Sequence, residues 1–175
     1  MLKKMADVTL DEGLLRFEFK DVDFAEQYDG WRHHRNVFSS ACGGAKAVDF
    51  VVGKGNVIWL IEVKDYRHHR RDKTISLWDE IAIKVRDTMA GLVSTKFIGV
   101  DDNERRTSRT VLGKRTLHVA LHLEQTKNPS RLFPQAFNPA NVRLKLKQNL
   151  RFADPHPVVF DRTDFPAQLG RVTSI

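Results

Sequence analysis

The stretch Ala47 to Tyr66, AVDFVVGKGNVIWLIEVKDY, limits the fold more than any other part of the chain. Val57-Ile58-Trp59-Leu60-Ile61 is an unbroken run of β-branched, aromatic and aliphatic residues, which suits a strand covered on both faces. Val48, Phe50 and Val52 form a second apolar set, and Gly53-Lys54-Gly55-Asn56 between the two supplies hairpin turn chemistry. A loop of those four residues pairs Val52 with Val57, so that Asp49 faces Leu60 and Glu62 lies on its diagonal, about 7–8 Å away. Alternation keeps Leu60, Glu62 and Lys64 on one side of the sheet and turns Ile61 and Val63 to the other. Two carboxylates at that spacing can reach a shared cation. A solvated sheet rim, with Lys64 neutralising one acid, accounts for the same charges more plainly. The combination favours a functional site: an acid on the first strand, a buried second strand, and an acid and a base two apart at its end.

Asp49, twelve intervening residues and then Glu62-Val63-Lys64 resemble the motif of the PD-(D/E)XK, or restriction-endonuclease-like, nuclease superfamily, and IEVKDYR fits its second catalytic strand. Val48 stands where that motif usually has proline. The resemblance covers roughly residues 14–95. It implies an α/β fold with a restriction-endonuclease-like core, a central mixed β-sheet flanked by helices, one acidic helix preceding the hairpin and another helix following it. A length of 175 residues suits a single domain, in which the resemblance places the core over about 14–125 and a C-terminal helical and strand extension over about 126–175. The implied activity is hydrolysis of DNA or RNA phosphodiester bonds with Mg²⁺ or Mn²⁺. Asp49 and Glu62 hold the ion, the Val63 carbonyl is a further oxygen ligand, and Lys64 orients the attacking water or offsets developing charge. The preceding helix adds a third carboxylate, Glu26 as first candidate and Asp29 as second. The alternative is a non-catalytic nuclease-like module that binds nucleic acid, or a subunit of a larger defence or repair assembly; a homodimer also fits.

Charge agrees with such a partner without proving it: 29 Lys and Arg against 22 Asp and Glu give +7, which favours a polyanion. Cys42 is the one cysteine, which excludes a disulfide framework and a Cys-rich zinc site. It reads as a small buried side chain. No apolar leader and no window of membrane-spanning length occurs, so a soluble, cytoplasmic protein with no membrane partner is expected.

Along the rest of the chain, Leu14 to Phe19 alternates like an opening strand. Val22, Phe24, Ala25 and Tyr28 suit a short helix capped by Asp21 or Asp23, with Glu26 and Asp29 on or just after it. Arg32 and Arg35, beside Trp31, are candidate nucleic-acid contacts, although a solvated helix end with a core tryptophan explains them too. Arg67-His68-His69-Arg70-Arg71 is the densest cationic run and begins three residues after Lys64, so it is expected to grip phosphates. Ser76 caps a helix whose apolar stripe is Trp78, Ile81, Val85, Met89 and Leu92. Lys84 lies beside that stripe, where it can position water or phosphate or simply pair with Glu80. Residues 99–115 read as a polar loop. Thr116 to Leu123 alternates as a strand, with His118 and His122 on its polar face. Asn138-Pro139 starts a helix carrying Val142, Leu146 and Leu150, and Pro157 to Phe160 adds a late strand before a polar tail.

Overall fold

The computed structural model describes residues 5–132 and 135–175. Three strands open the chain: β1 (Ala6–Glu12), β2 (Leu15–Val22) and β3 (Phe24–Gln27). A 3₁₀ turn (Tyr28–Gly30) and α1 (Arg32–Asn36) lead to β4 (Phe50–Lys54) and β5 (Val57–Asp65). Next come α2 (Leu77–Ile98), α3 (Asp102–Leu112), β6 (Thr116–Glu124), α4 (Pro139–Asn149), β7 (Val158–Phe160) and β8 (Gly170–Ser174). The architecture is α/β. A mixed five-stranded sheet has the order β3-β4-β5-β6-β7, antiparallel through β5 and parallel beyond it, and β1-β2-β8 form a separate antiparallel sheet.

Both faces of the five-stranded sheet are covered. Val51, Ile58, Leu60, Val119 and Leu121 pack against Leu77, Ile81 and Val85 of α2 and Val142 and Leu146 of α4. Phe50, Val52, Ile61 and Ala120 pack on the opposite side against Leu15, Phe17 and Phe19 of β2 and Val172 of β8. This double burial is why β5 reads as a continuous apolar run. The stripe expected on α2 and the strand character of β5 and β6 are present. Ser76 accepts the Asp79 N–H at 3.2 Å as the α2 cap, and Asn138 accepts the Ala140 N–H at 2.9 Å as the α4 cap.

The hairpin turns over two residues instead of four. Lys54 pairs with Val57, leaving Gly55 and Asn56 as the loop, with Gly55 at φ 57°. A left-handed first turn residue suits the twist of the flanking strands and costs glycine little. Shortening the loop by two preserves parity, so Asp49 stays on the Glu62 side, but it now stands at the position directly opposite Glu62. Other expectations fail for related reasons. Residues 22–28 are strand and 3₁₀ turn, because Val22 and Ala25 enter one core while Phe24 and Tyr28 enter the other; two alternating faces mimic helical spacing. Residues 102–112 form a helix whose buried face is Glu104, Thr107, Ser108 and Val111, too polar to register as a stripe. His122 is wholly buried among Phe17, Phe160 and Phe165, which cover the C-terminal half of β6, while His118 on the same face stays partly exposed beside Asp154 at 3.7 Å. The tail contributes β8, and β1 precedes the expected opening strand. Cys42 is exposed, in a left-handed conformation at φ 51°. Among the described residues no helix is long and apolar enough to cross a membrane.

Gly91 of α2 faces the Tyr28 hydroxyl and the Phe38 ring, and a Cβ there would run into Tyr28. Gly91→Ala is expected to lower the urea midpoint, because overpacking costs about 1–3 kcal/mol while the helix-propensity gain offsets at most about 1 kcal/mol.

Candidate active site

Asp49 sits just before β4 and is fixed from four directions. The segment leading to it hangs on two polar residues of α2: Asp87 accepts the Lys46 N–H at 2.9 Å and Thr88 accepts the Val48 N–H at 3.0 Å. The Tyr28 N–H donates to the Asp49 carbonyl at 2.8 Å, continuing the β3–β4 ladder. The Asp49 side chain accepts the Val63 N–H through Oδ2 at 2.6 Å, which ties the acid to the strand carrying the other two motif residues. Val63 therefore enters the site through its N–H.

Glu62 and Lys64 point from β5 toward α2, as their parity with Leu60 requires. Glu62 is 1% exposed and Asp49 7% exposed. Lys64 Nζ is 2.7 Å from Glu62 Oε1 and 3.1 Å from Glu80 Oε1, and Lys84 Nζ is 2.6 Å from Glu62 Oε1 and 3.9 Å from Asp49 Oδ1. Lys84 thus belongs to the site, and the expected Lys84–Glu80 pair is replaced by a Glu80 hub. Glu80, wholly buried, takes Lys64, Arg71 and Lys73, the latter two each at 2.6 Å. Burial alone would push the Glu80 carboxyl up, but Lys73, Arg71 and Lys64 bring it down to about 2. Burial likewise works against a charged Lys64, yet Glu62 and then Glu80 outweigh it and raise its pKa, so it is firmly an ammonium.

A third acid joins Asp49, and it is Asp29, together with one the sequence reading missed, Glu12. Glu12, Asp29 and Asp49 each bring a carboxylate oxygen within 4.8 Å of the other two. Asp29 is carried by the 3₁₀ turn, and its Oδ1 is buried without a hydrogen-bond partner among the described residues, as is Glu62 Oε2. Glu12 ends β1 and reaches the site past the β3 edge, where Gln27 Nε2 donates to it at 3.0 Å. Glu26 is not part of this group: it pairs with Val51, two positions along the ladder from Tyr28 and hence about 7 Å away along the strand. Sequence alone gave no signal for Glu12, because only the packing of the β1–β2 hairpin beside β3 brings it there.

Burial, then Glu62, drives the Asp49 carboxyl up to about 8, against the opposing pull of Lys84 and the Val63 N–H. Glu12 is raised by burial and by Asp29 and Glu62. Crowded, partly orphaned carboxylates with an all-oxygen donor set fit a hard divalent cation, whose charge would offset their repulsion.

The cationic run divides. Arg67 is turned to Asp65, at 2.6 Å, and to Ser174, so it is committed to the β8 side of the sheet. Arg71 serves Glu80 and the Ile75 carbonyl, while Arg70 donates to the Leu132 carbonyl. His68 and His69 are exposed. Arg32 and Arg35 are exposed on α1, and Trp31 is in the core against the Tyr28 ring at 4.9 Å.

No family model and no solved structure matches the chain. The cysteine–tRNA ligase of Neisseria meningitidis is 28% identical over 165 residues, a match covering 77% of this chain and 24% of the ligase. The chain thus spans about a quarter of the length of that curated relative.

The folded-state pKa of Asp49 lies above its unfolded value. The unfolded chain releases this proton from about pH 4 upward while the fold retains it to about pH 8, so the group's contribution to stability falls across that window. Asp49→Asn keeps an acceptor for the Val63 N–H and removes the charge. In chelator it is expected to raise unfolding stability at pH 7.5 by up to about 5 kcal/mol, a gain that vanishes toward pH 4 in urea titrations.

Proposed function

We propose that the protein is a metal-dependent nuclease with a restriction-endonuclease-like core, acting on DNA first and on RNA second. The observation that carries it is the convergence of Asp49, Glu62 and Lys64 on one face of the β4–β5 hairpin, with Asp29 and Glu12 meeting Asp49 at the same end. Further support comes from the β3-β4-β5 meander followed by a crossover through α2 and α3 to β6, parallel to β5.

Asp49, Asp29 and Glu12 would hold Mg²⁺ or Mn²⁺ together with the free Oε2 of Glu62, and the Val63 carbonyl is a further candidate ligand. Such an ion, when bound, polarises a phosphate oxygen and acidifies a coordinated water. The remaining chemistry falls to the chain itself. Asp49 carries a proton near neutral pH and gives it up as the site takes a cation. Lys64, always an ammonium, swings from Glu62 and Glu80 onto the phosphate or the attacking water and offsets charge there. Lys84 pairs with Glu62 and is a second phosphate contact.

A second reading has its own support. The match to a quarter of a tRNA ligase suits a nucleic-acid-binding module that works inside a larger assembly. Incubation with single- and double-stranded DNA and with RNA, in Mg²⁺, Mn²⁺ or chelator, separates the two. The nuclease is expected to cleave only with metal, and Asp49→Ala or Lys64→Ala to slow cleavage by about 100-fold or more. Asp29→Ala is expected to slow it far more than Glu26→Ala. Cleavage that survives both Asp49→Ala and Lys64→Ala overturns the mechanism, and tight binding without cleavage selects the module.

A further inference from the structure

We propose that the protein takes its nucleic acid through an unpaired nucleobase, stacked in an aromatic pocket beside Lys64. This builds on the nuclease function above and specifies the form of its substrate as single-stranded or frayed. A pocket of about 300 Å³ opens between the end of β5 and the segment before α4, with Tyr66 and Phe137 among its walls. Their rings stand 5.6 Å apart at 41° to one another, and both side chains are half-buried.

These walls are built, not incidental. Gln125, just past β6, donates from Nε2 to the Phe137 carbonyl at 2.9 Å and accepts the Phe137 N–H through Oε1 at 2.8 Å. Tyr66 extends the β5–β6 ladder through its N–H to the Glu124 carbonyl at 2.8 Å, and Arg71 donates to its hydroxyl at 3.2 Å. A second pocket, of about 130 Å³, shares Tyr66, Arg70, Arg71 and Lys73 with the first and has Lys64 in its wall. A phosphate at Lys64 and a base laid against the outer face of the touching Tyr66–Phe137 pair therefore fall in two adjoining pockets with shared cationic walls.

The composition of the cleft selects the occupant. A groove for phosphates alone needs no aromatic walls, and a purely apolar ligand needs no cations; a nucleotide needs both. The larger pocket lies at the small end of ligand-binding cavities, room for one nucleotide and too small for a duplex. A paired base is held in its stack and must be unstacked to enter, so a strand with unpaired bases is favoured.

The test is run in chelator, where binding is read without chemistry. Fluorescence anisotropy compares a labelled single-stranded DNA with the blunt duplex of the same sequence. The single strand is expected to bind the wild type more tightly, and Phe137→Ala to lose about tenfold on the single strand with little change on the duplex, while Phe137→Tyr stays near wild type. Because Phe137 also packs on the core, a second readout uses the wild type alone: 2-aminopurine placed along the single strand is expected to be quenched on stacking. Equal affinity for the two DNA forms, or no quenching at any position at saturation, overturns the pocket. Metal-dependent cleavage without strand preference sinks the pocket and leaves the nuclease; no binding and no cleavage of any nucleic acid sinks both.

Discussion

The 2.6 Å hydrogen bond from the Val63 N–H to the Asp49 side chain is the contact on which the site depends. It joins the acid before β4 to the strand that carries Glu62 and Lys64, and it does so where β4 has not yet begun. The backbone on either side is held by the Tyr28 N–H and by Asp87 and Thr88 of α2, so the site is anchored by three separate elements. A carboxylate fixed in this way cannot turn to water to relieve its neighbours. Burial and then Glu62 raise its proton affinity against the pull of the Val63 N–H, and a polyvalent cation becomes the natural counter-charge.

Around that acid the charges are arranged in two linked groups. Glu62 shares Lys64 and Lys84, and Glu80 gathers Lys64, Arg71 and Lys73. Lys64 is common to both, 2.7 Å from Glu62 and 3.1 Å from Glu80, and so links the two groups. Buried ion pairs of this kind contribute little net stability, because desolvation offsets most of the attraction. Their value here is positional: α2 is locked over the end of β5 by its own lysine and glutamate, and the loop after β5 is folded back onto the same helix by Arg71 and Lys73.

Basic side chains and a cluster of acids both lie at the end of the β4–β5 hairpin. A net charge of +7 is spread unevenly. Arg67 is paired with Asp65 and faces the β8 side, whereas Lys64, Arg70, Arg71 and Lys73 line one small pocket, three of them held there by Glu80.

The sequence by itself determined the hairpin, the face shared by Asp49, Glu62 and Lys64, the capped helix that covers them and the N-cap of α4. Each follows from short-range rules: period-two alternation, turn residues, caps and a single apolar stripe. Parity made the shared face robust even though the loop is two residues and not four. Tertiary structure alone decided that Asp29 joins Asp49 while Glu26 does not, that Glu12 arrives from the neighbouring sheet, that Lys84 pairs with Glu62, and that His122 is buried. Those outcomes depend on which surfaces meet after residues far apart in the chain have packed. The same holds for residues 22–28 and 102–112. Two-sided burial in the first and a polar buried face in the second erase the hydrophobic period from which a strand or a helix is read.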